Sequence, residues 1–479
     1  MLFRQIFDPH LAQYAYLIGC QKTKTALVID PERDIDRYVE AAGAEGLTIT
    51  AVAETHIHAD FLSGAREFAK QHGVKVYLSG EGGPDWTYGW GKGYDVELLR
   101  DGDTFAVGNI KIKAVHTPGH TPEHLSFLIT DEGGGADEPL GLASGDFVFV
   151  GDLGRPDLLE TAAGQEGAQE PAAHELFDSL QKLKGLPDFL QIWPGHGAGS
   201  ACGKALGAVP QSTLGYEMKF NAAVQAAKEG EDAFVKEILE GQPEPPLYFA
   251  RMKRQNKQGP SLLGALPRPR SMMASALGTL CGCDDCVVID TRPRSVFVRG
   301  HLPASLLAPL DDSFPTVAGS YVPAGTPIYL VVEHERAEEA VRALVRIGLD
   351  DVRGVIEPRT LESYGDGNDK LNMLKTIDFD EVDGRRHYTN AAVLDVRRQE
   401  EWDQKHLPGA IHIPHVRLLD RLDELPRDKT LLVHCQSGVR SAVASALLAA
   451  HGFCVAYVDD AFENWKERHR QEGVEAGAH

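Results

Sequence analysis

The sequence predicts an α/β protein built of three successive domains. Short runs rich in Val, Ile and Leu alternate with amphipathic helical stretches through residues 1–242. A strand, loop and helix pattern then occurs twice in tandem, in 271–370 and 371–479. The length of 479 residues corresponds to about three domains of ~150 residues each.

In chain order, 26–30 (ALVID) reads as a strand, 34–44 as a helix, 48–55 as a strand, 62–72 as a helix and 75–79 as a strand. Further strands are expected at 110–115, 125–130 and 141–144, then a helix at 172–183 and a strand at 189–193. The stretch 241–270 is dense in Pro and Gly and carries little periodicity, which predicts a connector, set at 243–270. Beyond it, 287–309 (VVIDTRPRSVFVRGHLPASLLAP) aligns with 392–414 (AVLDVRRQEEWDQKHLPGAIHIP). The alignment matches Asp290 with Asp395, Arg292 with Arg397, and His301-Leu302-Pro303 with His406-Leu407-Pro408. Each copy continues into a strand and a helix, at 328–332 and 337–347 in the first and at 430–434 and 441–451 in the second.

Composition narrows the function classes. There are 48 Lys and Arg against 70 Asp and Glu, a formal charge of −22, which repels a phosphate backbone and argues against nucleic acid as a partner. With 43% hydrophobic and 25% charged residues the chain is globular rather than disordered. No run approaches the ~18 apolar residues that a bilayer span needs, and Asp8 and His10 interrupt the start, so a cytoplasmic protein without membrane attachment is expected. Seven scattered cysteines do not read as a disulfide framework; Cys20 and Cys454 read as core.

Four elements at predicted strand ends carry metal-binding chemistry: His56-Ile57-His58-Ala59-Asp60, His116 to His120, Asp146 and His196. Imidazoles and carboxylates brought together in this way suit zinc, iron or manganese. These residues resemble the metallo-β-lactamase superfamily over 1–242, which implies an αββα sandwich. Two branches matter, glyoxalase-II-like thioester hydrolases with two metals and persulfide dioxygenases with one iron. The hydrolase pattern continues the first motif with a sixth residue, His, and here that place is Phe61, which cannot ligate. The dioxygenase resemblance implies one iron(II) per chain on His56, His120 and Asp146, leaving positions for substrate and dioxygen. His58, Asp60 and His196 would then hydrogen-bond around the ligands; in a zinc hydrolase His58 would be a ligand itself. His116, two residues before Pro118, reads as structural.

Two residues near this constellation have two readings each. Arg155, in 152–157 (DLGRPD), either steers an anionic substrate or braces its loop through Asp157. Cys202 lies just beyond the His196 loop; it either carries a sulfane sulfur, its thiolate favoured by a nearby cation, or is a small buried core residue.

In the last domain, 432–441 (LVHCQSGVRS) puts Cys435 directly after a strand and Arg440 at the mouth of the next helix. Backbone N–H groups, the helix N-terminus and Arg440 form an anion cradle for a nucleophilic sulfur. The loop resembles that of rhodaneses, as do 394–397, 406–410 and 462–465, which gives Cys435 and Arg440 catalytic roles and Asp395 a place in substrate binding. Phosphatase relatives have one residue more between Cys and Arg. In the first copy Glu333 stands where the nucleophile would be, so 271–370 resembles an inactive rhodanese with a spacing or docking role. Cys281, Cys283 and Cys286 lack a fourth ligand at zinc spacing.

The resemblance as a whole is to persulfide dioxygenase–sulfurtransferases of sulfide detoxification, which assemble as homo-oligomers. It implies that a low-molecular-weight persulfide, such as that of glutathione or coenzyme A, is oxidised by dioxygen to sulfite. Cys435 would then pass a second sulfane sulfur to sulfite, giving thiosulfate. The alternatives are a zinc-dependent thioester hydrolase fused to a sulfurtransferase and a non-catalytic sulfur-carrying scaffold.

Overall fold

The apolar runs of the first domain pair into two six-stranded sheets. In the first, Leu2–Asp8, Gln13–Cys20, Thr25–Ile29, Thr48–Ala53, Lys75–Ser79 and Val96–Leu99 lie side by side in chain order. In the second the order is Ser212–Thr213, Gln191–Pro194, Gly141–Gly145, Leu125–Asp131, Ile110–His116 and Thr104–Val107. This computed structural model describes residues 1–162, 164–281, 283, 285–366, 370–386 and 390–469.

The two sheets stack through Tyr16, Ile18, Leu27 and Ile29 of one and Ile112, Phe127, Ile129 and Trp193 of the other. The alternate residues of the same strands face outward onto helices. Val28, Val52 and Val76 pack on Tyr38, Ala42 and Phe68, while Leu128, Leu142 and Ile192 pack on Ala173, Leu176 and Leu180. Burial on both faces is why 26–30 is apolar without alternation. The layers are therefore helix, sheet, sheet, helix. The sheets leave one group of strand ends loaded with polar residues: Thr48–Ala53 runs into Glu54 to Phe61, Gly141–Gly145 into Asp146, and Gln191–Pro194 into His196.

The two repeats form two five-stranded, wholly parallel sheets of the same topology. Their orders are Arg270–Ser271, Val352–Ile356, Ile328–Val331, Val287–Asp290, Leu306–Leu307 and Thr376–Ile377, Val455–Val458, Thr430–His434, Ala391–Asp395, Ile411–His412.

Two compact units result: Met1–Leu266 with Arg342–Gly348, and Pro267–Val341 with Leu349–His479. The connector expected at 243–270 is corrected, because Phe249–Gln258 is a helix of the first unit whose Phe249, Met252, Lys253 and Asn256 are buried. Of the three clustered cysteines, Cys283 and Cys286 are joined as a disulfide and Cys281 is free. No helix among the described residues is long and apolar enough to cross a membrane.

Candidate metal centre and cysteine loop

The loop from Glu54 to Phe61 is buried throughout. Asp30, at the end of its neighbouring strand, accepts the Thr55 N–H at 2.7 Å and the Thr55 hydroxyl at 2.8 Å. With its proton given to Asp30, Thr55 Oγ1 can only accept from His56 Nδ1, 3.0 Å away. His120 Nδ1 likewise lies 3.1 Å from the Arg155 carbonyl, which has no proton to give. Both rings therefore carry their proton on Nδ1 and present a bare Nε2 lone pair. Those Nε2 atoms stand 4.0 Å and 3.6 Å from Asp146 Oδ2.

His56, His120 and Asp146 thus converge ligand atoms in a buried group suited to one metal ion. Both Asp146 carboxylate oxygens are buried without a hydrogen-bond partner, as a metal ligand's would be. Burial, then the charges of neighbouring cations, holds the His56 and His120 pKa well below the usual histidine range, so both are neutral, the form that ligates. Burial raises Asp146 to about 6 in the metal-free protein.

The remaining predicted residues divide. His196 Nε2 lies 3.3 Å from Asp60 and 3.5 Å from Asp146, and Asp60, His196 and Cys202 form a second group of convergent ligand atoms. His58 is corrected: it stands apart from these two groups, 3.2 Å from both Asp30 and Glu54, with which it forms a third group of convergent ligand atoms. Burial pushes its pKa down, but these two carboxylates outweigh it and hold the ring cationic. Phe61 packs on that ring at 4.3 Å between centroids. Cys202 is also corrected, since burial and the charges of Asp60 and Asp146 push its thiol well above the usual range rather than favouring a thiolate. Of the two readings of Arg155, the brace holds. Its guanidinium binds Asp157 at 2.8 and 2.6 Å and the carbonyls of Ala201 and Pro243 at 2.9 and 2.7 Å, with no side-chain exposure to speak of. His116 Nε2 caps the Pro122 carbonyl at 2.8 Å, a structural contact.

Three residues without a place in the sequence reading complete the centre. His124 Nε2 accepts the Asp146 N–H at 3.1 Å while its Nδ1 meets Thr117 Oγ1 at 2.8 Å, fixing the backbone of Asp146. Asn256 donates to the carbonyls of His58 and Phe61 at 2.8 and 2.7 Å and accepts the Ser63 N–H at 2.9 Å. Lys253, one turn away, is only 6% exposed; its ammonium sits 4.7 Å over the Trp86 ring with no hydrogen-bond partner. Burial lowers it to about 8. The period 249, 252, 253, 256 is helical, but it emerges only if Lys and Asn are counted as facing inward.

In the last repeat Cys435 is buried, with its sulfur 3.5 Å from Ser441 Oγ. Gly438, at φ 82°, caps the helix Val439–Ala450. Arg440 is held by Glu401 in a bidentate pair at 2.6 and 2.7 Å. Asp395 is corrected: it is fully buried and clamps Arg397 at 2.9 and 2.6 Å, out of reach of substrate. The first repeat builds the same clamp from Asp290 and Arg292 at 2.9 and 2.6 Å. A feature kept by the copy without a nucleophile belongs to the fold. There Glu333 is exposed and leads into a 3₁₀ turn, His334–Arg336, not a cysteine loop.

Residues 9–196 match the metallo-beta-lactamase superfamily and residues 378–468 the rhodanese-like domain. A solved metallo-beta-lactamase structure from Staphylococcus aureus subsp. aureus COL is 42% identical, with a TM-score of 0.67, covering 75% of this chain and 99% of that one. The mitochondrial persulfide dioxygenase of Bos taurus is 27% identical over 201 residues, 41% of this chain and 68% of its own. The hydroxyacylglutathione hydrolase of Rhodospirillum rubrum is 31% identical over 183 residues, 38% of this chain and 61% of its own.

Proposed function

As the chain belongs to the metallo-beta-lactamase superfamily and ends in a rhodanese-like domain, we propose that it is a persulfide dioxygenase joined to a sulfurtransferase. His56, His120 and Asp146 would hold one iron(II) per chain. The observation that carries this reading is the pair of bare Nε2 atoms facing one unpartnered carboxylate, while His58 is tied to Asp30 and Glu54 and Phe61 replaces a ligand. An iron(II) held by two imidazoles and a carboxylate would supply the chemistry that activates dioxygen toward a sulfur.

The chain's own residues do the rest. Thr55 and the Arg155 carbonyl keep the two ring tautomers, and His124 holds Asp146 in place. Lys253 supplies a positive charge for an anionic persulfide in a protein of net charge −22. Oxidation of the outer sulfur of the persulfide anion consumes one dioxygen and one water and releases thiol, sulfite and one proton. At Cys435 the thiolate attacks the sulfane sulfur of a second persulfide and expels its thiol; sulfite then takes that sulfur as thiosulfate and frees Cys435. Joining the two activities in one chain keeps sulfite near the sulfur it accepts.

The test is metal analysis of anaerobically purified protein together with oxygen uptake on glutathione or coenzyme A persulfide. Iron with persulfide-dependent uptake is expected; iron-free protein without uptake would sink the dioxygenase reading. Cys435→Ser is expected to keep sulfite formation and lose thiosulfate. A second reading, a zinc thioester hydrolase, is favoured by the Asp60, His196 and Cys202 group, which suits a second ion. Two zinc ions per chain with thioester cleavage would establish it instead.

A further inference from the structure

We propose that Arg294, in the repeat that lacks the nucleophile, is a positioning residue that sets the peptide between Ser437 and Gly438 in the Cys435 loop. This rests on the reading that Cys435 carries sulfur. Arg294 opens the helix Arg294–Phe297, and its Nη1 donates to the Ser437 carbonyl at 3.1 Å and to Tyr457 Oη at 3.0 Å. The same nitrogen lies 3.2 Å from Asp459 Oδ1, to which Tyr457 donates at 2.7 Å. A trans peptide carries its C=O and N–H on opposite sides. Anchoring the Ser437 carbonyl to Arg294 therefore turns the Gly438 N–H the other way, into the loop that closes on Cys435.

The loop needs such an anchor for two reasons. Gly438 sits at φ 82°, where a glycine exchanges turn types by a peptide flip at little steric cost. A Cβ there would run into Arg294 Nη1, Asp459 Oδ1 and Tyr457 Oη, so the anchor is packed directly against the glycine. In addition, Arg440 is matched by Glu401, which leaves the backbone N–H groups to stabilise an anionic sulfur.

The repeat supplies an internal control. Aligning Arg292 with Arg397 places Gln399 opposite Arg294, and Gln399 donates to Asp403 on its own helix. The second copy builds the same sheet without that cation, so Arg294 is not a requirement of the fold. The copy that lost its nucleophile thus keeps a task, holding its neighbour's loop in shape.

Full-length Arg294→Met, Arg294→Lys and Arg294→Gln are compared with the parent by following carbamidomethylation of Cys435 against pH, read by peptide mass spectrometry, alongside sulfur transfer to sulfite. The charged and titratable groups around the loop include His434 before Cys435 and His415 facing Arg440, together with Tyr457, Asp459, Arg440 and Glu401; only Arg294 is altered. Arg294→Met is expected to slow alkylation at neutral pH about tenfold, less than outright loss of an oxyanion donor costs, and to move the pH midpoint upward. Lys and Gln, which keep a donor for Ser437, are expected to restore most of the rate. An unchanged profile in Arg294→Met, or equal loss in all three variants, overturns the proposal. Alkylation needs no persulfide, so failure of the parent to accept sulfur would count against Cys435 as a carrier and leave the positioning result standing.

Discussion

Asp146 and Asp60 each titrate at about 6 in the metal-free protein, because burial penalises their charged forms. Their folded-state values lie above the ordinary 3.8, so the stability they contribute is complete below about pH 4 and is lost as pH rises through about 6. Chelated protein is therefore expected to be a few kcal/mol less stable at about pH 7.5 than at about pH 5. A divalent cation removes the penalty by binding the charged forms. Melting curves at both pH values, with and without chelator, check this: parallel shifts in the two series would show that these carboxylates do not face a metal. At this scale the sequence marks which residues matter better than what they do. Arg155 and Asp395 lie in recognisable motifs, yet both are braces with their hydrogen-bonding groups turned inward. Residue type and spacing do not distinguish a brace from a substrate contact, because the chemistry of an Arg–Asp pair serves both.

Elements with a continuous or alternating apolar run were the legible ones. Thr25–Ile29, Thr48–Ala53 and Leu125–Asp131 lie where the apolar runs predict strands. The strand Leu2–Asp8 has only its two ends buried, with Arg4 and Phe7 toward solvent, and its sequence gives no such run. The helix Phe249–Gln258 is hidden for a different reason: prolines flank it and two of its four buried residues are polar. Those two residues tie it to the candidate metal centre. Asn256→Ala removes two hydrogen bonds to the buried carbonyls of His58 and Phe61, which is expected to cost about 2–3 kcal/mol. Since the loop it ties down carries His56, iron affinity is expected to fall with it. Denaturant unfolding and competitive metal titration read the two effects; normal affinity in a destabilised protein would separate the helix from the site.

At the scale of the whole chain, the continuous stretch of the first unit ends at Leu266, inside the Pro- and Gly-rich stretch, but that unit also includes Arg342–Gly348. Within it Arg346 meets Asp8 at 2.9 Å, Glu32 at 3.2 Å and Asp34 at 2.8 Å, all buried. Arg342 joins Asp34 and Asp36 at 2.9 and 2.6 Å, and the Arg346 carbonyl accepts the N–H of Leu62, next to Phe61, at 2.7 Å. Sequence cannot reveal this dependence, since the acidic run at 30–36 and its arginines lie some three hundred positions apart. Burial alone would push Asp8 upward, but Arg346 outweighs it and holds the carboxyl below its usual value. Asp8 therefore adds stability at neutral pH that is lost as pH falls through the acid range. A fragment 1–266 keeps the carboxylates and loses the cation, which inverts the sign: buried, unpaired carboxylates cost most when ionised. Breaking such a pair costs about 3–5 kcal/mol, with Glu32 partly spared by Arg37 at 2.6 Å. The fragment is thus expected to be markedly less stable than the first unit of the intact chain at neutral pH, with the deficit shrinking toward about pH 4. Arg346→Met in the full chain should reproduce the same pH signature without truncation. Guanidinium unfolding of both proteins across that range decides the matter: a deficit that stays constant or grows as pH falls would rule out the ion pairs as its source.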